Sequence, residues 1–303
     1  MGWLVHALTL SLANAVLPAA QAPTQPGLPT EPEIIGVDED RYERMTLPVH
    51  IGDHGPYRFL LDTGSERTVL ASSLANQLAL PLGEIRTIVS VAGRQQVQTA
   101  EVDRIDLGKR SYYGLVTPIL ERGHIGADGI LGIDSLQGQR VLLNFSENYI
   151  AINDARSLGG DKGFDIVVRA HRREGQLIMT HAMIDGKRTR VIIDTGSNIT
   201  IGNKALQRAL SQRVTISETT LISATGQKLP ADVGFAKRLS FGNVTIGNVA
   251  IAFADAAPFE TLGLHERPAL MLGMRELRVF KRIAIDFSER RVLFDLPEEF
   301  EFE

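Results

Sequence analysis

A chain of 303 residues, 44% apolar and 22% charged, is long enough for two domains with cores of their own. Its net charge of −4, with no basic run, argues against a nucleic-acid partner. The absence of cysteine excludes disulfides, thiolate metal sites, a cysteine nucleophile and lipid attachment through Cys. The first 22 residues, "MGWLVHALTLSLANAVLPAAQA", contain no acid. Leu8 to Leu17 has the character of an export h-region, and Ala20-Gln21-Ala22 is a small-residue cleavage pattern, so 1–22 reads as a signal peptide. Two features depart from that pattern: no Lys or Arg precedes the apolar run, and Pro23 follows the cut. Asn14 and Pro18 argue against stable membrane insertion. The expected location is therefore periplasmic or secreted. Residues 23–40, rich in Pro and polar residues, read as a linker or short pro-region.

A first unit spans 41–153. "RYERMTLPVHI" (41–51) reads as a strand, "GDHGP" (52–56) as a turn, and the next strand ends in Leu60-Leu61 before Asp62-Thr63-Gly64-Ser65. A helical stretch from Leu70 to Leu80 follows, then short strands with Gly turns. The Gly- and Asp-rich connection centres on 154–163. A second unit, 164–303, repeats the order. "QLIMTHAMID" (176–185) leads through "GKR" to Ile192-Ile193 and Asp194-Thr195-Gly196-Ser197, followed by a helical stretch from Asn203 to Leu210.

The repetition is long. "YRFLLDTGSERTVLASSLANQL" (57–78) aligns without a gap with "TRVIIDTGSNITIGNKALQRAL" (189–210). "VSVAGRQ" (89–95) aligns with "ISATGQK" (222–228), "GILGI" (129–133) with "LMLGM" (270–274), and "RVLLNFSENYIAIN" (140–153) with "RIAIDFSERRVLFD" (282–295). Two unrelated turns would not keep this order, so the chain is a two-unit duplication. Both units are mostly β. The expected fold is all-β, two similar lobes related by a pseudo-twofold axis, with a few short helices.

One Asp at a strand end reads first as a cap or an Asx turn. Two in matching settings read differently. About a pseudo-twofold axis equivalent residues meet, which would bring Asp62 to Asp194. Two carboxyls in contact cannot both ionise, so one pKa rises and the pair shares a proton. Such a pair can activate a water with one member and donate to a carbonyl with the other.

With these residues the chain resembles the aspartic proteases of the retropepsin-like and pepsin-like clan. The resemblance rests on Asp62-Thr63-Gly64-Ser65 and Asp194-Thr195-Gly196-Ser197, each with a downstream apolar-apolar-Gly element, Ile130-Leu131-Gly132 and Met271-Leu272-Gly273. It implies that Asp62 and Asp194 are the catalytic dyad. Thr63 and Thr195 are then expected to cross-link the loops, and Ser65 and Ser197 to bond the outer carboxylate oxygens. Gly64 and Gly196 support the dyad by letting backbone N–H groups approach it. The hairpins at Gly93 and Gly226 would be substrate-binding flaps, two in number and without a Tyr, closer to the symmetric retropepsin arrangement than to a pepsin.

Competing chemistry is sparse. No Gly-x-Ser-x-Gly elbow, His-Glu-x-x-His or P-loop is present, and the seven histidines are scattered. No metal or other cofactor is expected. Asp128 and Asp134 flank the first apolar-Gly element but face Ala269 and Arg275 in the second, so both read as structural. The leading expectation is an aspartic endopeptidase acting on an extended polypeptide as a two-lobed monomer. One alternative is a non-catalytic β protein that binds peptide in the same groove. Another is a homodimer in which each lobe pairs with its copy.

Overall fold

The computed structural model describes residues 10–11, 33–40, 44–210 and 217–297. The expected signal peptide lies outside the described residues except for Leu10–Ser11, which pair antiparallel with the strand Arg86–Ser90. Residues 23–32 of the expected linker also lie outside them.

Strands form where side chains alternate between core and solvent. Along Met45–Ile51, Leu47, Val49 and Ile51 are buried while Pro48 and His50 are exposed. This strand pairs antiparallel with His54–Leu61, which runs into Asp62. Val69–Ala71 follows as a buried strand, and the helix Ser72–Gln77 comes after it. The helix expected from Leu70 thus starts two residues later. The apolar triplet Val69-Leu70-Ala71 is instead drawn into the sheet, beside Gly129–Leu131. The second helix, Lys204–Ala209, is capped by Asn203, whose side chain accepts from the Leu206 N–H.

Both lobes place the apolar-Gly element in the same way. Gly129–Leu131 runs parallel to His54–Leu61, with Ile130 opposite Leu60, and antiparallel to Val69–Ala71. Ala269–Leu272 lies likewise between Lys187–Ile193 and Thr200–Gly202, with Met271 opposite Ile192 and Ile201. The closing glycines sit where no side chain fits. A Cβ at Gly132 would stand 2.4 Å from the Arg67 backbone, and one at Gly273 would stand 2.5 Å from the Ile199 carbonyl oxygen.

The lobes join through a shared sheet. One end of it runs in the order Ile166–Arg173, Arg291–Asp295, Arg282–Asp286, Arg140–Asn144, Tyr149–Asn153 and Glu33–Gly36. At its centre the two copies of the last repeat pair with each other, Leu142 opposite Ala284 and Arg140 opposite Asp286. The fully buried Arg140 guanidinium donates to the fully buried Asp286 carboxylate from Nε at 3.0 Å and Nη2 at 2.8 Å. Antiparallel pairing of two equivalent strands places a pseudo-twofold axis between them, within one chain. Glu33–Gly36 belongs to the stretch expected as linker, yet it is an edge strand of this sheet, with Ile35 buried against Ile150. The fold is all-β with two similar lobes and short helices. Among the described residues no helix is long and apolar enough to cross a membrane.

Candidate active site

Each Asp-Thr-Gly-Ser loop is pinned from below by its own lobe. The Asp62 N–H donates to the Leu131 carbonyl at 3.1 Å, and the Asp194 N–H to Leu272 at 3.0 Å. On the far side of each loop the Ile133 N–H bonds the Ser65 carbonyl and the Met274 N–H bonds the Ser197 carbonyl, both at 2.8 Å. The apolar-Gly element thus fixes the height and direction of each Asp.

The threonines join the loops to each other. Thr63 Oγ1 donates to the Ile193 carbonyl at 3.0 Å, and Thr195 Oγ1 donates to the Leu61 carbonyl at 2.8 Å. Each hydroxyl also accepts from the opposite loop's backbone, Thr63 N–H to Thr195 Oγ1 at 2.9 Å and Thr195 N–H to Thr63 Oγ1 at 3.4 Å. Both threonines are buried, so losing either hydroxyl would strand buried donors and acceptors at about 1–3 kcal/mol each.

This grip brings the two carboxyls together. Asp62 Oδ1 accepts from the Gly64 N–H at 2.8 Å, and Asp194 Oδ1 from the Gly196 N–H at 3.1 Å. Gly196 lies against Asp62: a Cβ added there would stand 2.2 Å from the Asp62 carboxyl carbon. Asp62 is 1% exposed and Asp194 is fully buried. Asp194 Oδ2 has no hydrogen-bond partner among the described residues.

The electrostatics follow. Burial pushes Asp62 up to about 7, against the N–H groups of Gly64, Ser65 and Gly196 and the charge of Arg44. Asp194 is pushed well above the ordinary carboxylate range, first by burial and then by the charge of Asp62. Both carboxyls are thus raised and coupled, so they titrate as a pair that holds a proton between them.

Ser65 and Ser197 also make local bonds. The Ser65 hydroxyl donates to the Arg67 carbonyl at 2.8 Å and the Ser197 hydroxyl to Ile199 at 2.9 Å. A hydroxyl has one proton, and the carbonyl two residues on takes it in a local turn. It is their backbone N–H groups that act on the carboxyls. Gly93 and Gly226, at φ +136° and +81°, turn the two hairpins as expected of Gly. The hairpin tips meet across the lobes through Thr225 Oγ1 and Ser90 Oγ at 3.3 Å and through Ser90 Oγ and Gln227 Oε1 at 3.3 Å. Gly226 is packed against the His124 ring so closely that a Cβ would stand 2.3 Å from it.

Asp128 and Asp134 are structural. Asp128 accepts from the Arg58 N–H, and Asp134 accepts from Thr68 N–H and Oγ1. The repeat alignment put Arg275 opposite Asp134, but Glu276, one residue further, takes the role by accepting from Thr200 Oγ1. Sequence reading also missed Arg44 and Gln176, both 1% exposed, which reach the opposite lobe's loop at the carbonyls of Gly196 and Gly64. They occupy equivalent places in the repeat, but Arg and Gln are unlike enough to hide the equivalence.

The model of the aspartyl protease family matches twice, over residues 47–135 and 180–275, covering most of each lobe. The chain belongs to the aspartyl protease family, with one family unit in each lobe. No curated protein matches it significantly.

Proposed function

We propose that the chain is an aspartic endopeptidase that hydrolyses peptide bonds of an extended polypeptide with Asp62 and Asp194 as its catalytic dyad. The observation that carries this reading is the pair of buried carboxyls, one from each lobe, held together by reciprocal threonine bonds and unable to ionise together. A protein that only binds peptide gains nothing from burying two carboxyls that act on each other, which is costly.

The residues perform the reaction as follows. The Asp62 carboxylate takes a proton from the attacking water, whose oxygen bonds the scissile carbonyl carbon. Asp194 gives its proton to the carbonyl oxygen, and a tetrahedral diol forms. Asp62, now protonated, passes its proton to the leaving nitrogen as the C–N bond breaks. Asp194 recovers a proton from a diol hydroxyl, leaving a carboxyl and an amine. The substrate lies as a strand between the lobes, under the hairpins at Gly93 and Gly226. The working form is a monomer, supported by the pairing of the two lobes within one chain. The N-terminal stretch 1–22 supports export to the periplasm or medium.

Cleavage of a denatured protein by the purified chain tests this reading. Rate should follow a bell in pH, because one carboxyl must be ionised and the other protonated. Activity that climbs steadily into the alkaline range, or that requires added zinc, would contradict it.

A further inference from the structure

The lobes are unlike at one point of contact. Gln176 donates from Nε2 to the Gly64 carbonyl at 2.9 Å, a neutral link from the second lobe to the first lobe's loop. Arg44 holds the equivalent place in the first lobe, at the same sequence separation from Gln176 as Asp62 from Asp194. Its Nη1 lies 3.5 Å from the Gly196 carbonyl oxygen. Nε and Nη2 donate to Asp40 at 2.9 and 2.5 Å, and Nη2 also donates to the Ile125 carbonyl at 2.9 Å, so the guanidinium plane is fixed.

Gly196 is the residue that lies against Asp62. Arg44 therefore sets a positive charge behind the backbone that faces one carboxyl, while the other lobe offers an amide. Burying an Arg–Asp pair costs several kcal/mol in desolvation before it returns anything. A glutamine does the mechanical task without that cost, as Gln176 shows. The charge needs another reason.

We propose that Arg44 is a positioning residue that makes the dyad electrically unequal, holding the negative charge on Asp62 and leaving the proton on Asp194. This rests on the protease reading of the dyad. The hydrogen bonds agree with it. Backbone N–H groups of Gly64, Ser65 and Gly196 act on Asp62; those of Gly196 and Ser197 act on Asp194, whose Oδ2 is buried without a partner among the described residues. Arg44 opposes the rise of both carboxyl pKa values. The neighbouring charges are otherwise engaged. Asp40 holds the guanidinium, Arg122 of the short helix Arg122–Ile125 pairs with Asp128 at 3.0 Å, His124 packs on Gly226, and Arg67 acts on Asp134.

The test compares Arg44→Gln, Arg44→Lys and the double change Asp40→Asn with Arg44→Gln. The double variant avoids leaving a buried Asp40 without its cation. Two readouts are taken, the acid limb of kcat/KM against pH and the carboxyl 13C titration of Asp-labelled protein without substrate. Removing a cation raises a carboxyl pKa, so Arg44→Gln should move the acid limb and the first titration up by roughly one pH unit, and the double variant, which also loses the Asp40 anion, should move them the same way by less. On the acid side this lowers kcat/KM about tenfold, since below the limb the rate falls in proportion to the ionised fraction. Arg44→Lys should leave both near the wild-type position. A limb and titration unmoved in the neutral variants, or moved equally by Arg44→Lys, would overturn the proposal. The NMR readout keeps the two claims separate. A wild-type chain that cleaves nothing refutes the protease reading, and an unmoved titration refutes the role of Arg44.

Discussion

Asp62→Asn and Asp194→Asn are each expected to lower cleavage at least about 10³-fold while leaving the fold intact, because the change deletes proton transfer at the reacting centre and little else. The substitution is nearly isosteric. An Asn Oδ1 can still accept the Gly64 N–H that Asp62 Oδ1 now takes at 2.8 Å, or the Gly196 N–H that Asp194 Oδ1 takes at 3.1 Å. The threonine grip touches neither carboxyl and stays in place. The loss should appear in kcat, with circular dichroism and gel-filtration volume unchanged. Full activity in either folded variant would remove that residue from the dyad.

The second large effect is on stability, and its sign is the reverse of the usual carboxylate case. In the unfolded chain both Asp residues ionise near the ordinary value of about 3.9. In the folded chain burial holds the proton on Asp62 to about 7, and burial and the charge of Asp62 hold Asp194 well above the ordinary carboxylate range. From about pH 4 to about 7 the native state therefore binds more protons than the unfolded state, and stability falls as pH rises. The stabilising contribution is complete near pH 4 and below and is lost on the way to neutrality. Asp194→Asn removes a buried group that cannot ionise cheaply. Its melting temperature should match the wild type near pH 4 and exceed it near pH 7, by a difference on the order of a few kcal/mol in unfolding free energy. Asp134 and Glu276, whose carboxyls burial also pushes up, add slope to both proteins and cancel in the difference. Calorimetry across this range measures it, and a constant offset between the two proteins would count against the shared-proton account.

What the sequence reveals of this fold is what repeats. The doubled Asp-Thr-Gly-Ser, the apolar runs before it and the Ile-Leu-Gly and Met-Leu-Gly elements are contiguous patterns, and their strands fall on those apolar runs, which are buried without a break. The repeat at 140–153 and 282–295 is equally legible, but not that its copies pair with each other to join the lobes. Strand pairing across the axis depends on the packing of both lobes at once. The strand Glu33–Gly36 was hidden because its Pro-rich surroundings resemble a linker while its Ile35 fills a place by Ile150. Glu276 was hidden by a one-residue slip that keeps the carboxylate on Thr200. Arg44 and Gln176 share a place in space but no side-chain chemistry beyond an N–H donor, so similarity of residues could not reveal them. The serine hydroxyls show the limit in the other direction, since each donates to the carbonyl two residues on, a local turn that the motif alone does not reveal.

The most direct measurement of the central claim is a peptide-library digest by the purified monomer between pH 3 and 9, read by mass spectrometry, with the Asp194→Asn chain alongside at the same concentration. The account predicts internal cuts by the wild type, each leaving a free carboxyl and a free amine, and none by the variant. Library peptides bound but intact at every pH, or about half the cutting retained by an Asp194→Asn chain that light scattering finds to be a dimer, would contradict a single site built from Asp62 and Asp194 of one chain.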